Sequence, residues 1–328
     1  MQAQRVCFVE KDQVAMETVE VAPPAAGELL IEAICSVISP GTELASLRAK
    51  PNTSGEFPMT SGYCLCGRVL EVGEGVEDYA TGQIVVSAMP HASLMTASTG
   101  ICRAVPDGLA PPQAAAYALV AISLQGVRKA RVQLGDSVAV LGLGVIGNLA
   151  AQLCRAAGAT LVTGIDVASW RGDLARRCGV DRIAAGAEDA ERPRHPVRGE
   201  GFDAVIEATG HPEPIVDALQ LARRLGRVVL LGSTRGLASN VNFYRDVHHK
   251  GLTIVGAHGA ARTRAEDVGH LRTRASEQLT SLDLLAAGRI DVDALISDTM
   301  PAAEAPRAFA RLSSGEEPLM TVALDWTA

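Results

Sequence analysis

The chain has 328 residues, 48% hydrophobic and 20% charged, with a net charge of −7, enough length for two domains and a large core. The acidic balance, the lack of a basic run and an aromatic content of only 3% argue against a nucleic-acid surface, which needs clustered cations and stacking rings. No stretch reaches the roughly 18 consecutive apolar residues of a membrane helix, and the short apolar run near the start, flanked by Arg5, Glu10 and Lys11, is not a signal peptide, so a cytoplasmic location is expected.

Along the chain, the first third reads as all-β. Short apolar runs at 6–9, 29–33, 67–72 and 84–88 are separated by Pro/Gly turns at 23–27 and 73–75. From about Pro111 the pattern changes. Residues 112–132 form an alanine-rich helical stretch. Apolar strands are then expected at 138–142, 161–166, 203–208, 227–232 and 252–257. Helices run between most of them, including 145–157 and 212–224, the latter with Pro212 in its first turn. This alternation demands a parallel sheet with helices on both faces. The polar segment 188–201, with three arginines and two prolines, reads as a surface loop. From about Ala265 the tail adds a helix, then short elements at 294–297 and 320–326. There is no internal repeat.

Seven cysteines (Cys7, Cys35, Cys64, Cys66, Cys102, Cys154 and Cys178) form an odd, scattered set that reads as reduced thiols. Cys154 falls on an apolar helix face. Cys64 and Cys66 lie two apart, so in a strand they share a face. They are either two packed thiols or part of a metal site.

The sharpest local signal is the run from Ser137 to Gly147. A buried strand enters three glycines, Gly142, Gly144 and Gly147, spaced G-x-G-x-x-G, and then a helix. Gly142 permits the tight turn, Gly144 lets backbone approach a pyrophosphate, and Gly147 lets the helix pack on the strand. Val145, Ile146, Leu149, Ala150 and Leu153 recur at helical spacing, and Gly158 supplies the C-terminal stop. A helix N-terminus there would face the phosphates. The next strand ends in Asp166, where the motif needs an acid for the adenosine ribose. That carboxylate favours NAD(H) and repels a 2′-phosphate. Arg171, five residues on, keeps NADP(H) as the lesser alternative. Thr209 and Gly210 are expected on the adenosine side, with Gly232 and Ser233 near the nicotinamide half.

A β domain, a central dinucleotide-binding unit and a returning tail resemble the medium-chain dehydrogenase/reductase superfamily over essentially the whole chain. The anchors are Gly62-Tyr63-Cys64-Leu65-Cys66-Gly67-Arg68-Val69-Leu70-Glu71-Val72-Gly73, which is similar to the family's G-H-E-x-x-G-x-V-x-x-V-G stretch, and Gly135-Asp136-Ser137-Val138 before the glycine turn. The tail pattern Gly288-Arg289-Ile290-Asp291 with Glu304-Ala305-Pro306-Arg307-Ala308-Phe309 also matches. The resemblance implies an α/β protein: a GroES-like β-rich catalytic domain at 1–115, completed by 265–328, and a Rossmann doubly wound parallel sheet at 116–264. It further implies a homodimer or homotetramer acting on a small-molecule substrate.

Where zinc-dependent members carry a histidine in G-H-E, this chain has Tyr63. Where they carry a cysteine in G-I-C-x-T-D, it has Ser39, within Ser36-Val37-Ile38-Ser39-Pro40-Gly41-Thr42-Glu43. A serine hydroxyl is a poor substitute for a thiolate at zinc. Between 84 and 105 only Cys102 remains, so the structural zinc lobe is missing too. No zinc is expected; the rival metal set would use Cys64, Cys66 and His91 or Glu43. The S-x-G-T-E form and Pro90-His91-Ala92-Ser93 are similar to a zinc-free branch that includes the hydroxyethyl bacteriochlorophyllide dehydrogenase group.

Without zinc, hydroxyl, phenol and imidazole groups must manage the alcohol proton and polarise the carbonyl. Ser39, Thr42, Tyr63 and His91 are the catalytic candidates. Thr42 would bond the substrate oxygen or the nicotinamide ribose, and Tyr63 and His91 would donate the proton, Tyr63 with a lowered pKa. Each has a plainer reading as a turn or volume-filling residue; Glu43 either orients a polar substrate or, in the simplest reading, pairs with Arg48 on a surface helix. His248, His249 and Lys250 read as a solvated loop cluster or an anion contact. The resulting expectation is a zinc-independent, NAD(H)-dependent oxidoreductase of a secondary alcohol or ketone: a polyol, sugar-like compound or specialised metabolite. Alternatives are an NADPH-dependent quinone or enoyl reductase and a non-catalytic dinucleotide-binding protein.

Overall fold

The computed structural model describes residues 1–263 and 265–328. It divides into two compact units, Met1–Leu119 with Gln278–Ala328, and Val120–Glu277. The sequence reading set its boundaries at 115/116 and 264/265; residue 264 lies outside the described residues.

In chain order the first unit begins with β1 (Gln2–Glu10), β2 (Gln13–Glu20), β3 (Glu28–Val37), α1 (Pro40–Leu47), β4 (Met59–Thr60), β5 (Leu65–Val72), β6 (Ile84–Ser87), β7 (Leu94–Ser98), β8 (Cys102–Ala104) and α2 (Pro111–Ala115). α3 (Tyr117–Ala130) follows. The second unit carries β9 (Ser137–Leu141), α4 (Val145–Ala156), β10 (Leu161–Ile165), α5 (Ser169–Arg177), β11 (Arg182–Ala184), β12 (Arg194–His195), β13 (Gly199–Glu200), β14 (Phe202–Glu207), α6 (Pro214–Leu221), β15 (Ala222–Leu230) and β16 (Thr253–Gly256). Then come α7 (Arg274–Ala286), β17 (Ile296–Pro301), α8 (Ala305–Ser314) and β18 (Thr321–Asp325).

In the first unit, one sheet runs β2-β1-β4 and a larger one β17-β18-β3-β5-β6-β8, with β7 also on β3. The tail strand β18 inserts antiparallel beside β3, with Leu324 opposite Ser36. Phe8 from β1 meets Phe309 from α8 edge to face at 5.2 Å, inside a core that also holds Val6, Ile38, Val322 and Leu324. Burial of those side chains, each stabilising by about 1.5–3 kcal/mol, ties the tail to the first third of the chain. β2 does not stand out in the sequence because Gln13, Glu17 and Glu20 interrupt its apolar positions and most of its residues are only half-buried.

In the second unit the sheet is parallel, ordered β11-β10-β9-β14-β15-β16. Chain order thus reverses between β9 and β14, the switch point where doubly wound sheets bind ligands. Phe202, Val205, Leu141, Leu219 and Val228 fill the core on one face. Three details differ from expectation. β11 is an added sixth strand, too short to stand out as an apolar run. The expected loop 188–201 contains the exposed β12–β13 pair. α6 stops at Leu221 and β15 begins at Ala222, earlier than the expected 224 and 227. The cause is packing: Ala222 pairs with the buried Phe202, after which the register shifts and Leu225 turns left-handed at φ 58°.

Candidate functional site

In the first unit the polar residues of interest come from separate loops. Ser39 precedes α1, whose first residue is Pro40, a favoured helix start. Its hydroxyl does not cap the helix; it accepts the Tyr63 hydroxyl at 2.5 Å. Thr42, on an exposed position of α1, hydrogen-bonds the same phenol. Ser39, Thr42 and Tyr63 therefore form one hydroxyl cluster. Burial, with the neighbouring Cys64, pushes the Tyr63 phenol well above its ordinary range. The expected lowering is corrected here: Tyr63 is a neutral hydrogen-bond donor rather than a base.

Glu43 is also corrected. It is 3% exposed and does not pair with Arg48, which donates to the Ser313 carbonyl at 2.7 Å. Glu43 Oε1 accepts the Ser39 N–H at 2.6 Å. Its Oε2 accepts the Ser61 hydroxyl and meets His91 Nε2 at 3.0 Å. His91 Nδ1 meets Ser36 Oγ at 2.8 Å, and Ser36 Oγ accepts the Trp326 indole N–H at 2.9 Å. His91 is 0% exposed with both ring nitrogens engaged. It cannot hand a proton to a substrate by contact; the catalytic expectation for it is replaced by a role through Glu43. Gly62 has φ 104°, and a Cβ there would lie 2.6 Å from the His91 ring, so only glycine lets Tyr63 follow Ser61 so closely.

Ser61, Ser36 and Trp326 were not singled out from sequence, and Glu43 was assigned other partners. The one signal available was Ser39 followed four residues later by Glu43, a helix-start pattern one residue longer than the usual capping box.

In the second unit the glycine turn sits at the end of β9. Gly142 has φ 82°, and a Cβ on it would fall 2.9 Å from Thr209. A Cβ on Gly147 would fall 1.7 Å from the Gly142 carbonyl oxygen, so no side chain fits. A Cβ on Gly144 would meet nothing within 4 Å, leaving open space over the turn. Gly144 is the N-cap of α4, and the N–H groups of Val145, Ile146 and Gly147 have no intrahelical acceptor. Gly232, after β15, packs so closely on Gly210 that a Cβ would lie 2.6 Å from its nitrogen, and Ser233 beyond it is exposed.

Asp166 Oδ2 accepts the Leu143 N–H at 2.7 Å, and Oδ1 the Ala168 N–H at 2.8 Å. Arg171 Nη1 stands 3.6 Å from Oδ2 and its guanidinium lies over the Trp170 ring at 5.2 Å. Beneath Thr209 lies Glu207, 0% exposed. Its Oε1 accepts the Thr209 N–H at 2.7 Å and the Thr209 hydroxyl. Burial raises its pKa, against those hydrogen bonds. Lys250 is half-buried, and its ammonium donates to the Leu219 and Gln220 carbonyls at the end of α6.

A phosphate fits the glycine turn: open space at Gly144, free first-turn N–H groups and the positive end of α4 converge there. Zinc does not fit the first unit's donor set. Ser39 and Tyr63 hydrogen-bond each other rather than converging on an ion, and burial lifts the Cys64 thiol well above its usual range, against the thiolate a metal needs. Cys64 and Cys66 are both fully buried free thiols.

The family model described as zinc-binding dehydrogenase matches residues 145–272. The chain is 28% identical over 260 residues to D-guloside 3-dehydrogenase of Escherichia coli K12, covering 78% of this chain and 73% of that one. It is 30% identical over 214 residues to (R,R)-butanediol dehydrogenase of Bacillus subtilis 168, covering 55% and 60%. A structure from Sinorhizobium meliloti 1021 solved with NADP bound superposes with a TM-score of 0.83 at 24% identity, over 99% of each chain.

Proposed function

Because this chain belongs to the medium-chain dehydrogenase/reductase superfamily, we propose that it is a zinc-independent, NAD(H)-dependent oxidoreductase that interconverts a secondary alcohol and its ketone. The observation that carries the reading is the Tyr63–Ser39 hydrogen bond, a hydroxyl pair standing where metal-dependent relatives place two ligands.

The glycine turn at 142–147, Asp166, Thr209, Gly232 and Ser233 would hold the dinucleotide. Bound there, it supplies the hydride donor or acceptor. The protein's own part is proton handling and polarisation. The neutral Tyr63 hydroxyl donates to Ser39 Oγ, which directs the serine's own proton outward toward a substrate oxygen. Thr42, exposed on α1, gives its own hydrogen to the Tyr63 oxygen and would accept from a substrate or ribose hydroxyl. Donors aimed at a developing alkoxide typically contribute a factor of about 10²–10³ each. A cluster of hydroxyls suits a polyol or sugar-like substrate, in line with the D-guloside and butanediol relatives.

A specific observation supports NADP(H) as the second reading. Arg171 stands beside Asp166, and among the described residues its Nε–H has no acceptor. A 2′-phosphate would supply one. Titration with NADH and NADPH, followed by a panel of polyols, glycosides and enones, tests the proposal. Turnover of enones but no alcohol or ketone would replace it with the enoyl-reductase reading, and tight dinucleotide binding without turnover would favour a non-catalytic protein.

A further inference from the structure

We propose that Glu43 is the positioning residue of the hydroxyl cluster: one buried carboxylate that fastens the three loops carrying Ser39, Tyr63 and His91. The proposal rests on the dehydrogenase reading above for its kinetic consequence, though not for its structural one.

The donors define the arrangement. The Ser39 N–H is an obligate donor to Glu43 Oε1. The Trp326 indole N–H is an obligate donor to Ser36 Oγ. Ser36 then has its own hydrogen to give, and its remaining partner is His91 Nδ1. That leaves the His91 hydrogen on Nε2, pointing at Glu43 Oε2. A directed chain runs from Trp326 through Ser36 and His91 to the carboxylate, and Ser61 adds a further donor to the same oxygen. All of these groups except Trp326 are at least nine-tenths buried, and hydrogen bonds in such surroundings polarise one another.

The three segments also hold one another through the Val37 N–H to Cys64 carbonyl bond at 2.9 Å, the β3–β5 ladder and the Tyr63–Ser39 and His91–Ser36 contacts. The end of β3 and start of α1 carry Ser39; the segment before β5 carries Ser61, Gly62 and Tyr63; the segment between β6 and β7 carries His91. His91 N–H donates to the Ser61 carbonyl at 2.8 Å, which joins the second and third. Glu43 is the single side chain that takes donors from all three, the Ser39 N–H, the Ser61 hydroxyl and His91 Nε2. An amide in its place has one oxygen and one NH₂ group, so an N–H would face the Ser39, His91 or Ser61 donors. The strands would still hold the segments together, but their side chains would lose the common acceptor and the Tyr63–Ser39 pair would shift. A misplacement of about 1 Å at reacting groups can cost roughly 10²-fold in rate.

The test uses the full-length protein and its Glu43→Gln and Ser61→Ala variants. Three readouts are compared: steady-state kcat and KM, ultraviolet titration of Tyr63 identified by difference with Tyr63→Phe, and nitrogen NMR of the histidine side chains. The expected result for Glu43→Gln is a kcat loss of about 10²-fold with KM and the NADH dissociation constant little changed. The Tyr63 titration should shift, and the His91 ring-nitrogen signals should move from their wild-type positions. Ser61→Ala, which keeps the carboxylate, should show the same changes at smaller size and covers the case in which Glu43→Gln fails to fold. A folded variant with wild-type kcat and an unmoved Tyr63 titration would overturn the proposal. If the wild type turns over no alcohol or ketone, the dehydrogenase reading fails, while the titration and NMR still decide the role of Glu43.

Discussion

The Asp166 carboxylate accepts the Leu143 N–H at 2.7 Å, so the acid that ends β10 fastens the turn that ends β9. The side chain that sequence reasoning assigned to the ribose is also part of the cradle's own framework. Its second oxygen takes the Ala168 N–H.

Asp166→Ala should therefore weaken both stability and binding. Two backbone N–H groups lose their acceptor, at a cost of about 1–3 kcal/mol. The NADH dissociation constant should rise at least tenfold, about 1.4 kcal/mol. Thermal melting and fluorescence titration check the two effects; unchanged NADH affinity would count against the ribose assignment.

The glycines should separate. Gly147→Ala puts a methyl 1.7 Å from the Gly142 carbonyl oxygen, so α4 must shift, a strain of about 1–3 kcal/mol with loss of dinucleotide binding. Gly144→Ala meets nothing within 4 Å and should leave the melting temperature alone while weakening binding. Equal melting losses in the two variants would show that the turn is arranged otherwise.

Tyr63→Phe removes the donor to Ser39. The expected outcome is a kcat reduced by about 10²-fold, with dinucleotide affinity unchanged and stability lowered by only about 0.5–1.5 kcal/mol. Full activity in Tyr63→Phe would leave Thr42 as the remaining hydroxyl candidate.

Glu207 gives a pH signature. Burial raises its folded pKa above the ordinary 4.5, so its favourable contribution is present below that value and is lost as pH rises through the folded pKa. Glu207→Gln keeps an oxygen for the Thr209 donors and removes the ionisation. The variant should gain stability relative to wild type as the pH is raised above about 4.5. Melting curves from acid to neutral pH measure this, and a constant difference would contradict it.

Zinc should be dispensable. Protein purified without chelator should carry well under one zinc per chain by elemental analysis, and EDTA should leave activity unchanged. A stoichiometric zinc would overturn the metal-free chemistry proposed for Ser39 and Tyr63.

Much of the frame was legible from residue order alone. The glycine spacing at 142–147 and the apolar runs around it are local, because turn conformation and strand pattern depend on neighbours in the chain. Weakly patterned elements were not legible. β2 mixes charged and apolar residues in a half-buried strand, and β11 is only three residues long.

The site divides in the same way. Gly142, Gly144, Gly147 and Asp166 could be singled out by residue type and spacing, and Ser39, Thr42 and Tyr63 through the family resemblance; that is what the sequence by itself determined about this protein. The partners were decided only by the tertiary structure. Glu43 faces His91 and Ser61 because α1 buries Glu43 and Leu47, one turn apart on the same face. Trp326 reaches Ser36 because β18 pairs with β3 from the far end of the chain. Hydrogen bonds between residues that distant in sequence leave no periodic trace, since their geometry is set by which sheets and helices bury their apolar faces together.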